Sequence, residues 1–342
     1  MRILVTGAAG FIGSNYVRYV LSEHPNAYVV ALDKLTYAGN LANLAEFAKD
    51  PRFEFVRADI CDTEAVGDAI AGCDALVNFA GESHVDRSVI DPAAFVRTNV
   101  EGIRVLMEAA RAHGLQRVVH VSTDEVYGHV PVGSADEDAR LAPRNPYSAS
   151  KAGGELLALA YFTSFDLPVM VTRGANTIGP FQYPEKAIPV FVTNAIEDKP
   201  LPIYGEGKAV RNYMYVCDHC AGIDLVLHKG NPGEVYNVGV EFEVNTLTLA
   251  TSILDLLDKP RSLMRLIEDR PGHDYRYSLN SARLEALGWQ PQYTFPEALA
   301  ETVNWYVENE DWWRAIKSGG YGEYYERNYA ERLARSRPVA AG

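Results

Sequence analysis

The stretch Ile3-Leu4-Val5-Thr6-Gly7-Ala8-Ala9-Gly10-Phe11-Ile12-Gly13 decides the fold. The apolar run over 2–6 predicts a buried strand, and the glycines spaced three apart behind it permit a sharp turn. The spacing is G-x-x-G-x-x-G rather than the commoner G-x-G-x-x-G, but the physical logic is shared. Backbone without side chains can approach a pyrophosphate at the N-terminus of a helix, here expected over about 11–23. A second strand over 28–32 ends in Asp33, twenty residues after Gly13. A carboxylate at that point accepts hydrogen bonds from a ribose diol and repels a 2′-phosphate, which favours NAD over NADP. A tight turn with no ligand is the alternative.

Outward from this unit the chain alternates strand and helix. Further strands are predicted over 53–56, 75–79, 118–122, 168–172 and 235–239, with helices over about 92–113 and 147–165. Such alternation implies βαβ units in a doubly wound, Rossmann-type parallel sheet. Asp59 follows the third strand and suits either an adenine edge or the start of the helix near Asp62. The fourth strand ends in Ala80-Gly81-Glu82-Ser83-His84-Val85-Asp86-Arg87-Ser88, where small residues give way to polar ones. Asn99 is either a cofactor contact or a polar face position. From Arg173 onward Gly, Pro and aromatic residues cluster, which suits a smaller α/β substrate lobe interleaved in sequence with the first domain. The expected division is 1–175 plus about 212–240 for the dinucleotide domain, 176–211 and 241–330 for the smaller lobe, and 331–342 as a frayed tail. Helices over 246–258 and 296–308 belong to that lobe, and Trp312, Trp313 and the Tyr-rich 321–329 read as packing.

The chemistry gathers at residues 118–151. The run Val118-Val119-His120-Val121-Ser122 meets Thr123-Asp124-Glu125-Val126-Tyr127-Gly128, and Tyr147 and Lys151 follow at helical i,i+4 spacing. A cation near a phenol favours phenolate, so this pair suits proton removal from a carbinol as hydride leaves for a nicotinamide; Thr123 can bond the same oxygen. Such a dehydrogenase needs no adjacent carboxylates. Asp124 and Glu125 therefore suggest a second proton task, in which one removes the C–H proton beside a ketone and the other donates to a departing hydroxyl. The alternative is that one caps a helix and the other faces solvent.

Of the 342 residues 47% are hydrophobic and the net charge is −13. That balance argues against a nucleic-acid groove or an anionic membrane surface, both of which need basic clusters. No run of 18 apolar residues appears. Met1-Arg2 enters the first strand directly, without a signal-peptide pattern, and the four cysteines fit a reduced cytoplasm. Cys217-Asp-His-Cys220 has metal-like spacing but lacks a second pair, so no metal is expected.

Several of these motifs resemble those of a known family. Thr6-Gly-x-x-Gly-Phe-Ile-Gly13 with Tyr147-x-x-x-Lys151 resembles the extended short-chain dehydrogenases that act on nucleotide sugars. Ser122-Thr-Asp-Glu-Val-Tyr-Gly128 is similar to the signature of the dTDP-glucose 4,6-dehydratases among them. Glu82-Ser-His-Val-Asp-Arg-Ser88, Pro184-Glu-Lys-x-Ile-Pro189, Leu201-Pro-Ile-Tyr-Gly205 and Asp269-Arg-Pro-Gly-His-Asp274 carry the same resemblance, which runs from residue 1 to about 330. It implies oxidation of dTDP-glucose at C4 by Tyr147 and catalytic NAD, removal of the C5 proton by Glu125, and protonation of the leaving C6 hydroxyl by Asp124. Hydride then returns to C6.

The cofactor set implied is Gly7, Gly10, Phe11, Ile12, Gly13, Asp33, Lys34, Thr36, Asp59, Ile60, Ala80, Gly81, Ser83, Asn99, Tyr147, Lys151 and Thr177. The substrate set implied is His84, Thr123, Asn176, Lys186, Pro202, Ile203, Tyr204, Arg211, Asn245, Arg270 and His273, with Arg211 and Arg270 suited to the diphosphate. The chain departs from the family's Ser-Asn-Asn-Tyr-Gly-Pro at Ala175-Asn176-Thr177-Ile178-Gly179-Pro180, from its Arg-Asp-Trp at Arg211-Asn212-Tyr213, and from its Ala-Ala-Glu-Ser-His at Gly81. A homodimer through helices over about 95–112 and 147–164 is also implied. Other readings are a UDP-glucose 4,6-dehydratase, a nucleotide-sugar 4-epimerase or decarboxylase, and a non-catalytic NAD-binding regulator.

Overall fold

In the computed structural model, which describes residues 1–269 and 274–339, the opening stretch forms β1 (Arg2–Thr6) and α1 (Phe11–Glu23). There follow β2 (Tyr28–Asp33), β3 (Phe53–Arg57), α2 (Thr63–Ile70), β4 (Ala75–Asn78), α3 (Val85–Ile90), α4 (Pro92–Val96), α5 (Gly102–Ala112), β5 (Arg117–Thr123), α6 (Pro146–Phe165) and β6 (Val169–Gly174). The chain continues through β7 (Asn176–Ile178), α7 (Ala187–Ile196), β8 (Leu201–Tyr204), β9 (Val210–Tyr215), α8 (Val216–Lys229), β10 (Val235–Val238), β11 (Glu243–Asn245) and α9 (Thr246–Leu256). It ends with β12 (Met264–Ile267), α10 (Ala282–Glu285), α11 (Phe295–Glu308), α12 (Glu310–Lys317), α13 (Tyr321–Ala334) and β13 (Arg337–Pro338).

Seven strands form one sheet in the order β10-β6-β5-β4-β1-β2-β3, every neighbouring pair parallel. Its strands are apolar on both faces because both are covered. Ile3, Val5, Val29, Ala31 and Val119 pack with Tyr16, Val17 and Val20 of α1 and Ile223, Val226 and Leu227 of α8. The alternate residues Leu4, Val30, Leu32, Leu76 and Val118 pack with Val66 of α2, Ile103 and Leu106 of α5 and Ala158 of α6. Strand order reverses between β1 and β4, which opens a crevice at the carboxyl ends of those strands. The smaller lobe holds two three-stranded sheets, β11-β9-β7 and β13-β12-β8, around a separate core that includes Phe191, Ile203, Leu249, Val303 and Trp313.

The lobe boundaries differ from the expected ones. β9 belongs to the small sheet, so the chain rejoins the large domain with α8 at Val216 rather than at 212. A later segment returns as well, since Leu284 and Trp289 sit in the large domain's core. The expected tail is partly ordered structure, with α13 running to Ala334 and β13 pairing with β12. Ladder bonds use backbone alone, so this pairing leaves little trace in the side-chain pattern. The helix expected over 92–113 is broken by a π-turn over Arg97–Glu101. Asn99 stands in that turn, accepts from the Glu82 N–H at 2.9 Å and donates to the Glu82 carbonyl at 3.0 Å and to Ser150 Oγ at 2.9 Å. The inserted residue aims Asn99 at the loop after β4, a common use of π-turns.

Beneath the crevice lies a buried ion pair, Arg173 Nη2 to Glu155 Oε1 at 2.7 Å. Arg173 also donates to Tyr127 Oη at 2.7 Å and the Glu137 carbonyl at 3.0 Å, and Tyr127 donates to Asn237 Oδ1 at 2.8 Å. With every charge partnered, the network ties α6, β6 and β10 together without an uncompensated buried ion.

Candidate active site

A cleft of about 460 Å³ opens along the carboxyl ends of the large sheet and runs to the smaller lobe. Its dinucleotide half is built by close backbone approach. Gly7 has φ of +67°, and a Cβ there would stand 2.6 Å from the Ala80 amide nitrogen. A Cβ on Gly13 would strike the Gly7 carbonyl. Gly10 stands at the N-cap of α1 with no side chain to cap it, and the first turn, which lines the cleft, has no acidic residue, so its first N–H groups are available as anion donors. Asp33, at the end of β2, accepts from Ala9 N–H at 3.0 Å and Leu35 N–H at 2.7 Å. Burial pushes its carboxyl up, and those two N–H groups oppose the shift. Lys34 pairs with Asp59 at 2.6 Å on the cleft rim, while Asp62 caps α2. This cradle of glycines, uncapped N–H groups and a carboxylate fits a dinucleotide such as NAD.

The chemical half sits where β5 ends and α6 begins. Asn145 caps α6 in a capping box with Ser148, and Pro146 sets its first turn. That start delivers Tyr147 and Lys151, 8% and 7% exposed, into the cleft. Lys151 Nζ donates to the Val121 carbonyl at 2.6 Å. Burial lowers its pKa to about 8, which Glu155 partly opposes. The sequence led to an expected lowering of the Tyr147 pKa by Lys151, and the structure reverses this. Burial, then the charges of Glu125 and Asp124, push the phenol up, against the Thr123 hydroxyl.

Asp124 and Glu125 follow in a single 3₁₀ turn capped by Thr123, whose hydroxyl accepts from Glu125 N–H at 3.3 Å and donates to Asp124 Oδ1 at 3.2 Å. Neither carboxylate is the cap, and both line the cleft. Burial, then the charge of Glu125, carries the Asp124 carboxyl up to about 7, while Arg211 and Thr123 pull the other way. The two neighbours thus differ in environment, a buried carboxyl of raised pKa beside a more exposed carboxyl group.

Most of the expected residues meet in this one cleft, including Thr36, Ile60, Gly81, Ser83, His84, Asn176, Thr177, Lys186, Pro202, Tyr204 and Arg211. Three do not line it. Asn99 lies behind the wall, clamping Glu82. Ile203 points to the other side of β8, fully buried in the small-lobe core, because strand neighbours alternate. Asn245 caps α9 by accepting from Thr248 N–H at 2.8 Å. Arg270 and His273 lie outside the described residues. Sequence reasoning missed Tyr277, whose hydroxyl lies 3.4 Å from Glu125 Oε2 and donates to Asp274 Oδ2 at 2.9 Å. The Arg211 guanidinium lies 4.4 Å over its ring. It also missed Glu185, which joins Tyr37 and Arg87 at 2.9 and 3.1 Å in the cleft wall. The pairing of Tyr277 with Asp274, three residues earlier, was the available signal.

Comparison with known proteins agrees with this geometry. The family model described as GDP-mannose 4,6 dehydratase matches residues 4–302. A dTDP-glucose 4,6-dehydratase of Streptomyces niveus is 50% identical over 93% of this chain and 96% of its own length. One from Escherichia coli is 43% identical over 97% of this chain and its entire length. The solved structure of the dTDP-glucose 4,6-dehydratase DesIV from Streptomyces venezuelae, which has NAD bound, superposes with a TM-score of 0.91 at 48% identity, covering 93% of this chain and 100% of that one. A UDP-glucose 4-epimerase of Thermus thermophilus, also with NAD, shares the fold at a TM-score of 0.83 and 30% identity, over 90% of this chain and 100% of that one. By sequence, fold and the architecture of its cleft, this chain belongs to the dTDP-glucose 4,6-dehydratase family of extended short-chain dehydrogenases.

Proposed function

We propose that the protein converts dTDP-glucose to dTDP-4-keto-6-deoxyglucose with loss of water. The observation that carries this reading is the meeting of Tyr147, Lys151, Asp124 and Glu125 in one cleft, with the Asp124 carboxyl raised to about 7. A plain alcohol dehydrogenase or a 4-epimerase has no use for a buried carboxyl of raised pKa and a second carboxyl group beside the Tyr–Lys pair.

Gly7, Gly10, Gly13 and Asp33 would hold NAD, which when bound would supply a reversible acceptor for the hydride from C4. The chain's own groups move the protons. Tyr147 takes the C4 hydroxyl proton, aided by the Lys151 ammonium and the Thr123 hydroxyl. The resulting ketone acidifies C5–H, and Glu125 removes that proton. Asp124, whose carboxyl is raised to about 7 and so keeps a large protonated fraction at neutral pH, donates to the C6 hydroxyl as the C6–O bond breaks and water departs, and Glu125 returns its proton to C5 when hydride reaches C6. Burial keeps bulk water away from the carboxyl that must hold its proton.

Purified protein given dTDP-glucose without added cofactor should form a product lighter by one water, with no net accumulation of reduced nicotinamide. Absence of product even with added NAD would refute the reading, and exclusive turnover of UDP-glucose would move it to the uridine nucleotide. The pH profile follows from Asp124. Because the protonated form is the active one, kcat/KM should fall as pH rises through about 7.

We also infer a homodimer. Val96 and Leu156, on α4 and α6, are large apolar residues 55% exposed each, and Val89 and Ile90 of the neighbouring α3 are 59% and 60% exposed. Such a patch suits a self-complementary helical interface. Sedimentation that gives a monomer at micromolar concentration would exclude it. The cytoplasm is the compartment we favour, since all four cysteines are free thiols. Among the described residues no helix is long and apolar enough to cross a membrane. Recovery of the protein only outside the cytoplasmic fraction would overturn that assignment.

A further inference from the structure

The Tyr-rich stretch near the C-terminus does more than pack. Tyr321, Tyr325 and Tyr329 fall at i, i+4 and i+8 of α13, so they share one helix face. Their rings continue each other, with centroids 5.9 Å and then 5.0 Å apart. The row is joined at both ends to residues of the cleft. Tyr321 meets Tyr183 at 6.0 Å, and Tyr329 meets Tyr204 at 6.3 Å. Tyr183, Tyr204 and Tyr329 all line the cleft, and Tyr329 is only 5% exposed.

α13 also controls Tyr204 through its hydroxyl. Arg332 Nη1 donates to Tyr204 Oη at 2.8 Å and Asn328 Nδ2 donates at 3.2 Å, while Tyr204 donates to Asp86 Oδ2 at 3.4 Å. A phenol offers two lone pairs and one proton, so all three positions are engaged. The Tyr204 ring is therefore held from its tip, and a ligand can use only its face or edge. A flat ring fixed in this way suits stacking against a nucleobase. The far end of the helix is anchored too, because β13 pairs with β12, which itself runs beside β8 and Tyr204.

We propose that α13 is the outer wall of the nucleotide end of the cleft. Tyr329 faces the bound nucleotide, and Arg332 and Asn328 are positioning residues that fix Tyr204 for the base. This rests on the nucleotide-sugar reading above and adds to it residues that lie outside the catalytic motifs.

The test is titration of dTDP, with kinetics on dTDP-glucose, for Arg332→Ala, Asn328→Ala, Tyr329→Ala and the conservative Arg332→Lys and Tyr329→Phe. Arg332→Ala and Tyr329→Ala should each raise the dTDP Kd and the KM about tenfold. The kcat should stay within about twofold and the bound NAD unchanged, because the wall makes the same contact in ground and transition states. Arg332→Lys and Tyr329→Phe should recover most of the loss. If Arg332→Ala fails to fold, Asn328→Ala and Arg332→Lys carry the same comparison. Unchanged Kd and KM would overturn the proposal, as would kcat and NAD content falling in step with KM, which would mark a merely structural helix. If the wild type turns over no dTDP-glucose, the function reading fails, and titration with dTDP, UDP and GDP still decides the wall. A nucleotide bound by the wild type and lost by the alanine variants supports it, and equal or absent binding refutes it.

Discussion

Replacing Tyr147 by Phe is expected to lower kcat for dTDP-glucose by about 10³-fold, near the middle of the range for loss of a positioned acid–base group. The substitution removes one oxygen and keeps the ring, which packs edge-on against Phe95 with centroids 6.3 Å apart. NAD content, dTDP binding and thermal stability should therefore stay close to those of the wild type. The size of the loss follows from the environment of the phenol. Burial and the neighbouring carboxylates push its pKa up, so phenolate is disfavoured in the ligand-free protein. Lys151, one helical turn along and carrying its own lowered pKa of about 8, is the chain's cation for offsetting this. A bound oxidised nicotinamide brings further positive charge, so the base becomes competent only in the loaded enzyme. Single-turnover and steady-state kinetics on the purified variant check the result. Retention of more than about a tenth of the wild-type kcat would remove Tyr147 from the role, since an acid–base group contributes at least about 10².

What could be read from sequence follows from which physical signals are local. Strand–glycine–helix at 3–13 and the acidic residue at 33 are local, and both were legible because few other sequences satisfy the sterics. The i,i+4 spacing of Tyr147 and Lys151 was legible for the same reason. The raised pKa of Asp124 was not, because it depends on burial under elements distant in sequence and on Arg211 and Thr123 opposing it. Asn99 showed as a polar helix position, but only the π-turn reveals what it holds. The resemblance placed Ile203 with Pro202 and Tyr204 in the substrate set, although strand alternation sends it to the opposite face. Tyr277 carries no motif of its own, and Glu185, although inside the 184–189 motif, takes its place in the cleft wall through long-range contacts. The tyrosine row of α13 was visible as a composition bias, yet its partner Tyr204 lies more than a hundred residues away.

Changing the two carboxylates separately should divide the reaction at different points. Glu125→Gln is expected to lower overall dehydration by about 10²–10⁴-fold while leaving C4 oxidation in place. A borohydride quench should then trap a nucleotide sugar that is still six-oxygenated, and in deuterated water its C5 should carry no deuterium. The amide preserves shape and the approach of Tyr277, so folding should be little changed. Asp124→Asn should lower kcat within the same range, but with C5 exchange retained, because proton removal by Glu125 does not require the acid. It should also abolish the fall in kcat/KM above pH 7. The wild-type carboxyl loses its proton there because burial and Glu125 have raised it only to about 7, whereas an amide is neutral throughout. The sign matters: a group that acts as a base would instead gain activity as pH rises through its pKa. The two variants therefore separate acid from base without relying on rates alone. Deuterium at C5 with Glu125→Gln, or an alkaline limb that survives Asp124→Asn, would reassign the roles. In a pair only one residue apart, burial is what makes the roles unequal. Asp124 is 4% exposed and its carboxyl is raised to about 7, whereas Glu125 beside it is only half-buried.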